Sequence, residues 1–576
     1  MSNLKYLCLF FIITTQLCTS QIKFENRASE LGLIDNAGVS TLGGNGISFC
    51  DFDNDGWDDI TFCSQAGDNI KFYRNNNGSF VEQAFNVSFP YQTRQINWVD
   101  IDNDGDKDMF VTSDTNGVKL FENNGSLSFT DITEIAGLPT TNLYTYGSSW
   151  GDIDNNGFLD LFISNRDETT FSTQNYLYKN NGDNTFTDIS DSAGILTTSN
   201  LSFCAAFFDF DNDGWQDIYV ANDKSFNPNV LYRNNGNSTF TEVGFLTGTD
   251  VAIDAMSTTI GDYNNDGWFD IYVSNTFSGN ALLQNNQDGT FTDVANPSGT
   301  IFNSFGWGSV FLDAECDTDL DLYVSGSMDG SIPQFISAAF YENDGNGIFS
   351  IPNNAGFVGD EKPSHSNAIG DVNNDGLPDI VVNNNLNENL FLWRNETITT
   401  NNWLKIKLEG TVSNRDGIGS VIEISINGDK QYRYTLCGEG YLSQNSESEF
   451  FGLGANAYVD YVKIKWLSGT EDIFTNVTAN QTLNVVEGST LNVSDVEGKH
   501  ILVYPNPTNS SFNVDLGKVY QDITISITNT LGQQIMNKEY SNTKNINIDL
   551  SNDSGVYFIT ITDGEGLLKT KRIIKR

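Results

Sequence analysis

Lysine and arginine are scarce in this 576-residue chain: 30 stand against 75 aspartates and glutamates, leaving a formal net charge of −45. That balance offers no basic groove for a phosphate backbone, which excludes nucleic-acid binding and disfavours anionic membranes. Histidine is scarcer, with two residues, His365 and His500, and no zinc signature or Gly-x-Ser-x-Gly elbow accompanies them. Cysteine is too sparse for a disulfide framework: beyond Cys8 and Cys18 in an apolar leader, Cys50, Cys63, Cys204, Cys316 and Cys437 are odd in number and scattered. Cys50 and Cys63 flank an acidic loop and either pair or remain reduced in the core. Long apolar runs are missing after the leader, so no membrane-spanning segment is expected. The leader itself, residues 1–20, carries Lys5 ahead of a short apolar run and small residues at Cys18 and Ser20, the pattern of a signal peptide cleaved before Gln21. A lipid anchor on Cys18 is the rival reading, with Thr15-Gln-Leu-Cys a poor lipobox.

Aspartate at fixed spacing is what the chain has in abundance. Seven acidic nonapeptides begin at Asp51, Asp100, Asp152, Asp209, Asp262, Asp313 and Asp371, about fifty residues apart. In the first, Asp51, Asp53 and Asp55 set oxygen ligands at alternate positions, Gly56 permits a sharp turn, and Asp59 closes the set. The others offer Asp100, Asp102, Asp104 and Asp108; Asp152, Asp154, Asn156 and Asp160; Asp209, Asp211, Asp213 and Asp217; Asp262, Asn264, Asp266 and Asp270; Asp313, Glu315, Asp317 and Asp321; and Asp371, Asn373, Asp375 and Asp379. Hard oxygen donors in this array suit Ca²⁺, at six to seven sites. They are not EF-hands, because the twelfth position is apolar, as at Phe62 and Val111, and no helix follows. Loops with four carboxylates are expected to bind more tightly than those with Asn156, Asn264 or Asn373. The sixth, with Thr318 in place of glycine, is expected to bind least readily.

Each loop runs into a β-branched and aromatic stretch such as Ile218-Tyr-Val, and two further strands follow across an Asn/Gly-rich turn. Four strands per repeat make one propeller blade. The seventh repeat lacks its last strand, and residues 24–33 match the missing piece in length and glycine placement, so the N-terminal strand is expected to close the ring. The fold class is therefore all-β: a seven-bladed β-propeller followed by two small β-sandwich domains.

Residues 22–397 resemble the FG-GAP or VCBS repeats of integrin-α-type propellers, which bind calcium through such loops. The resemblance implies that the backbone carbonyl of the seventh loop residue also ligates, here Trp57, Asp106, Phe158, Trp215, Trp268, Asp319 and Leu377. After Trp393 the repeats stop, and alternating strands such as 403–408 and 462–466 predict half-buried antiparallel sheets. There Gly440-Tyr-Leu-Ser-Gln-Asn, Phe451-Gly-Leu-Gly and Trp466-Leu-Ser-Gly resemble the ASPIC/UnbV domain found in the cartilage acidic protein family, with Leu467 and Phe450 departing from its more usual residues. Arg415 and Asp416 in its Gly-rich turn are either a ligand site or a buried structural pair. The last block opens on Val503-Tyr-Pro-Asn-Pro, alternates through 512–516, 523–527, 546–550 and 557–561, and ends in a basic tail. It resembles the type A sorting domain of Bacteroidetes type IX secretion, which implies recognition by that machinery and removal on export.

The expected organisation is a signal peptide (1–20), a propeller (21–397), an ASPIC/UnbV sandwich (398–490), a linker (491–499) and a sorting domain (500–576). The expected role is a secreted or surface-bound, calcium-dependent adhesion module that grips a glycan or protein with the propeller face opposite the metal loops. Its candidate segments are 139–149, 196–201 and 357–366, where Tyr144 and Tyr146 either stack on sugars or pack the propeller. The alternative is a polysaccharide lyase or hydrolase with His365 as base.

Overall fold

The computed structural model describes residues 21–40, 42–490, 502–504, 506, 508, 510–530, 532–551, 554–563 and 568–576, so the leader 1–20 and the linker 491–499 lie outside the described residues. The chain divides into two compact units, one ending at Ser489 and the other starting at Thr490.

In the first unit, seven sheets share one up-and-down strand order. Their innermost strands are Ile47–Cys50, Ile96–Val99, Thr145–Gly151, Ser202–Phe208, Thr259–Gly261, Gly306–Leu312 and Ser364–Gly370. Most neighbours in this series lie against each other, and the last lies against the first, so the sheets close a ring. The burial of each strand follows its sequence. Ile47–Cys50 and Asp59–Phe62 are buried throughout, Ser48, Asp59 and Thr61 included, because both faces of these inner strands are covered, whereas outer strands such as Phe129–Asp131 bury only their first residue. The last sheet is completed by Phe24–Asn26, which pairs antiparallel with Phe391–Asn395. The core lies between blades: Val99, Phe110 and Leu120 of the second pack against Trp150, Leu161 and Phe186 of the third.

One-turn helices at Ser190–Ala193, Gly244–Thr247 and Ala295–Ser298 follow three of the outer strands. Each ends on a left-handed glycine, Gly194, Gly248 or Gly299, which a side chain would strain.

Residues 402–486 form two sheets around one core drawn from both, including Leu404, Ile422, Phe451, Val462 and Val485. The expectation of purely antiparallel sheets is corrected here: Asn402–Glu409 pairs parallel with Gln481–Val486, because the chain crosses the other sheet before returning. In the second unit, Ser511–Asn529 is one long strand where the sequence pattern suggests two, with a register irregularity between Asp515 and Tyr520. It pairs with Gln534–Asp549 along its length and with Gly555–Asp563 at its far end, around a core that includes Phe512, Ile525 and Ile559. Among the described residues no helix is long and apolar enough to cross a membrane, and all five cysteines are buried and free, Cys50 and Cys63 included.

Candidate metal centres

Each acidic loop joins the innermost strand of a blade to the second, so its end carboxylates hang from buried backbone. The first residue shapes the turn: Asp51 accepts the N–H of Asp55 at 2.9 Å and that of Gly56 at 3.0 Å. The same pair of bonds recurs at Asp152, Asp209, Asp262, Asp313 and Asp371. At Asp100 it takes the N–H groups of Asp104 and Gly105. Position four is left-handed in every loop, an asparagine in six and Cys316 in the other. Thr318 also holds a φ of +94° where the other loops have glycine, so the sixth loop stores strain.

The structure brings together oxygens of positions one, three and nine, all within 4.8 Å of one another, in the first four loops: Asp51, Asp53 and Asp59; Asp100, Asp102 and Asp108; Asp152, Asp154 and Asp160; Asp209, Asp211 and Asp217. In the sixth loop the oxygens that meet are those of positions one, three and five, Asp313, Glu315 and Asp317. Fifth-position residues also brace the turn. Asp55, Asp104, Asn156, Asp213, Asp266, Asp317 and Asp375 each accept the N–H of the seventh residue, Trp57, Asp106, Phe158, Trp215, Trp268, Asp319 or Leu377. In the fifth and seventh loops the third-position amides Asn264 and Asn373 donate to Asp266 and Asp375, at 3.0 and 2.7 Å.

This donor set fits a hard cation. Third-position oxygens are left without partners inside the loops: Asp53 Oδ1, Asp154 Oδ1, Asp211 Oδ1, Glu315 Oε2 and Asn373 Oδ1. The electrostatics agree. Burial raises the ninth-position carboxyl in every loop, to about 9 at Asp59, about 8 at Asp108, and well above the usual range at Asp160, Asp217, Asp270, Asp321 and Asp379. Burial, aided by Asp317 and Asp313, lifts Glu315 to about 8. A bound divalent ion would supply the positive charge that keeps these groups ionised.

Two sets of asparagines escape a reading of the sequence. The first closes the third strand of each blade, at Asn75, Asn123, Asn180, Asn234, Asn285, Asn343 and Asn395, and its N–H donates to the ninth-position carboxylate at 2.6–2.9 Å. Six of these side chains also reach a carbonyl of the preceding blade; Asn234 Nδ2 donates to Ile153 O at 2.9 Å and to Gln216 O of its own blade at 3.0 Å. The second set is at position four, where Asn54, Asn103, Asn155, Asn265 and Asn374 donate to the sixth-position carbonyl of the next loop. The signal is their recurrence, which turn propensity explains at any single position but not across the repeats; two blades joined by each amide account for it. Asn234→Ala is expected to cost about 2–3 kcal/mol, since it strands buried carbonyls of two blades. Urea denaturation with an unchanged m-value would register this loss, and a shift below about 0.5 kcal/mol would dismiss the inter-blade role.

The second domain covers the metal-loop face. Lys405 Nζ lies 2.7 Å from Asp371 Oδ2, and Lys407 Nζ 3.3 Å from Asp51 Oδ2 and 3.0 Å from Glu447 Oε2. Lys107, at position eight of the second loop, lies 2.5 Å from both Asp416 and Glu447. Arg415 instead pairs with Glu409 at 2.9 Å, so Arg415 and Asp416 are not a pair with each other, each having a nearer partner of opposite charge. From this domain, residues 437–446 enter the centre of the ring. Ser443 and Gln444 pair parallel with Ile47 and Ser48, Gln444 exchanges two hydrogen bonds with the Trp98 backbone, and Tyr441 donates to Gly43 O at 2.7 Å.

On the opposite face, Tyr146 is buried, edge-on to Phe203 and beneath the Arg94 guanidinium at 4.7 Å, and so packs the propeller rather than offering a surface for sugars. His365 is buried as well; burial, then Arg94, lowers its pKa to about 3.

Residues 51–111, 100–163, 168–220, 209–273 and 262–324 match the family described as FG-GAP-like repeat. Residues 410–492 match ASPIC and UnbV, and residues 502–576 match the secretion system C-terminal sorting domain. The chain is similar to cartilage acidic protein 1 of Xenopus tropicalis, 24% identical over 496 residues, covering 77% of this chain and 72% of that one. It is 22% identical over 444 residues to cartilage acidic protein 1 of Mus musculus, covering 74% of this chain and 61%, less than two thirds, of that one. Among solved structures, the extracellular domain of a one-component system from B. thetaiotaomicron aligns with 97% of this chain and 60% of its own, at 11% identity and a TM-score of 0.36. The chain is thus an FG-GAP-repeat protein with an ASPIC/UnbV region and a sorting tail that directs it through type IX secretion to the cell surface or beyond.

Proposed function

We propose that this exported FG-GAP-repeat protein is a calcium-clamped adhesion module, which grips an extracellular glycan or protein through the propeller face opposite the metal loops. The observation that carries this reading is the second domain, which seats lysines on the carboxylates of the metal-loop face and fills the centre of the ring. A ligand would therefore meet the other face, where the connecting loops between blades lie. In this reading calcium sits among positions one, three, five and nine and the seventh carbonyl of each loop, and holds the ring rather than the ligand. The propeller, its companion domain and the sorting domain divide near residues 398 and 500, and the last is removed on export.

The chain is read as non-enzymatic. The one histidine in the propeller, His365, is held at about 3 by burial and then Arg94, so its imidazole is a weak proton acceptor, and this counts against it as the general base of a lyase or hydrolase. The test is an array of extracellular glycans and matrix proteins probed with the secreted chain, with and without chelator. Binding to a defined ligand that weakens as calcium is withdrawn supports the module; binding to no glycan or protein on the array overturns it.

A further inference from the structure

The sixth loop departs furthest from the repeat, and its charge sets it apart. Asp313, Glu315, Asp317, Asp319, Asp321 and Glu342 bring six carboxylates to one blade. Oxygens of Asp313, Glu315 and Asp317 lie within 4.8 Å of one another, and Glu315, only 4% exposed, leaves Oε2 without a partner. Asp319, 8% exposed, accepts no hydrogen bond at its side chain among the described residues and lies in the field of Asp317, Asp313, Glu315 and Glu342. Nor does an ion pair reach any of the six among the described residues. Arg433 acts on Asp313 only at a distance, its guanidinium being bonded to the Phe450 and Tyr432 carbonyls.

Loops one, three and seven carry resident cations instead. In the first, Arg74 lies 2.5 Å from Asp53 and 2.8 Å from Asp55, and Lys407 lies 3.3 Å from Asp51. Lys179 pairs with Asp154 in the third, and Lys405 lies 2.7 Å from Asp371 in the seventh. Such a group repels a divalent ion and occupies oxygens that the ion needs. Glu342 stands where blades one and three place Arg74 and Lys179, immediately before the asparagine that joins the blades. The second domain, which brings Lys407 and Lys405 to loops one and seven, brings Gly452 to the sixth, so close that a Cβ there would fall 1.9 Å from Asp313 Oδ2. That cover excludes water without adding positive charge, which strengthens the attraction for a cation. The second blade repeats the acidic pair as Asp106 and Glu122, but Asn184 Nδ2 already donates to Glu122 at 2.7 Å and to Asp102 at 3.2 Å.

We infer that the sixth loop is the tightest calcium site of the chain, and that loops one, three and seven, which hold lysine or arginine on their ligand carboxylates, fill last. Blades one and seven meet at the seam closed by Phe24–Asn26, so the metal content of the seam follows free calcium while the sixth blade stays loaded. The inference rests on the calcium-clamped reading and assigns the order in which its sites fill.

Calcium titration of the full secreted chain in competition with a chromophoric chelator, which returns the successive binding constants, tests it. Glu342→Arg, which installs the charge that the first blade carries at Arg74, should weaken the tightest step about tenfold and leave the weakest steps in place. Arg74→Glu should strengthen one weak step by about tenfold and leave the tightest unmoved. Calorimetric melts in saturating calcium establish that each variant folds, and the glutamine variant at the same position replaces either one that does not. A tightest step unmoved by a folded variant at Glu342, or weak steps unmoved by a folded variant at Arg74, overturns the order while the clamp stands. A wild-type chain that takes up no calcium removes both.

Discussion

Withdrawal of divalent cations lowers the melting temperature of the secreted chain by on the order of 10 °C. A ligand present at a hundredfold its dissociation constant contributes about 2.7 kcal/mol per site, so four filled loops stabilise the ring by roughly 11 kcal/mol. With an unfolding entropy of about 2 cal/mol/K per residue, a unit of this size converts that to about ten degrees. The pH dependence of the chelated chain carries a second signature. Asp59 and Asp108, with an ordinary value of 3.8, are raised to about 9 and 8 by burial, as are their counterparts in the other loops. Between those limits the folded state holds protons that the unfolded state has released, so the stability of the chelated form falls as pH rises from about 4 to about 9. Calcium opposes the trend, because it binds the deprotonated groups, and its stabilisation grows with pH. Calorimetric melts at pH 5 and pH 8, with calcium and with chelator, check both statements. Curves that overlay with and without the ion at pH 8 would remove the metal clamp from the account.

The loops are legible in the sequence because a hard cation demands oxygen-bearing side chains at fixed separations, and a demand repeated about every fifty residues cannot be mistaken for local chance. The strands beside them are legible for a related reason: fully buried strands such as Asp160–Asn165 are continuous apolar runs apart from their ends. The asparagines that join the blades are visible in the same repeats, yet Asn180 stands in an Asn-Asn-Gly turn whose local preference already explains it. Its bond to Ile101, in the previous blade, is a tertiary fact that no window of sequence contains. The insertion 437–446 is hidden for the same cause. Gly440-Tyr-Leu-Ser-Gln-Asn has no period, and Gln444 finds its partner Trp98 across 346 residues. Tyr146 misleads because it follows a polar turn, whereas it belongs to the buried innermost strand Thr145–Gly151, which begins sooner than the apolar pattern suggests.

Glu447→Gln is expected to destabilise the first unit by about 3–5 kcal/mol, the cost of leaving buried cations without their carboxylate. Glu447 accepts from Lys107 at 2.5 Å and from Lys407 at 3.0 Å, with Lys107 itself 8% exposed, and so joins the second domain to the first and second metal loops. Burial opposes its charge, but the two lysines outweigh burial and hold it down at about 2 from an ordinary 4.5. A depressed carboxylate contributes stability that is complete above its unfolded value and disappears as pH falls toward its folded one. The gap between wild type and Glu447→Gln should therefore be full at pH 6, narrow below about pH 4.5 and close near pH 2, opposite in sense to the chelated loops. Urea titrations of both proteins in saturating calcium measure that gap. An equal gap at pH 6 and pH 3 would assign the loss to packing and deny the ion pair its role, while a full gap that closes in acid identifies Glu447 as the charge that fastens the covering domain to the metal-loop face.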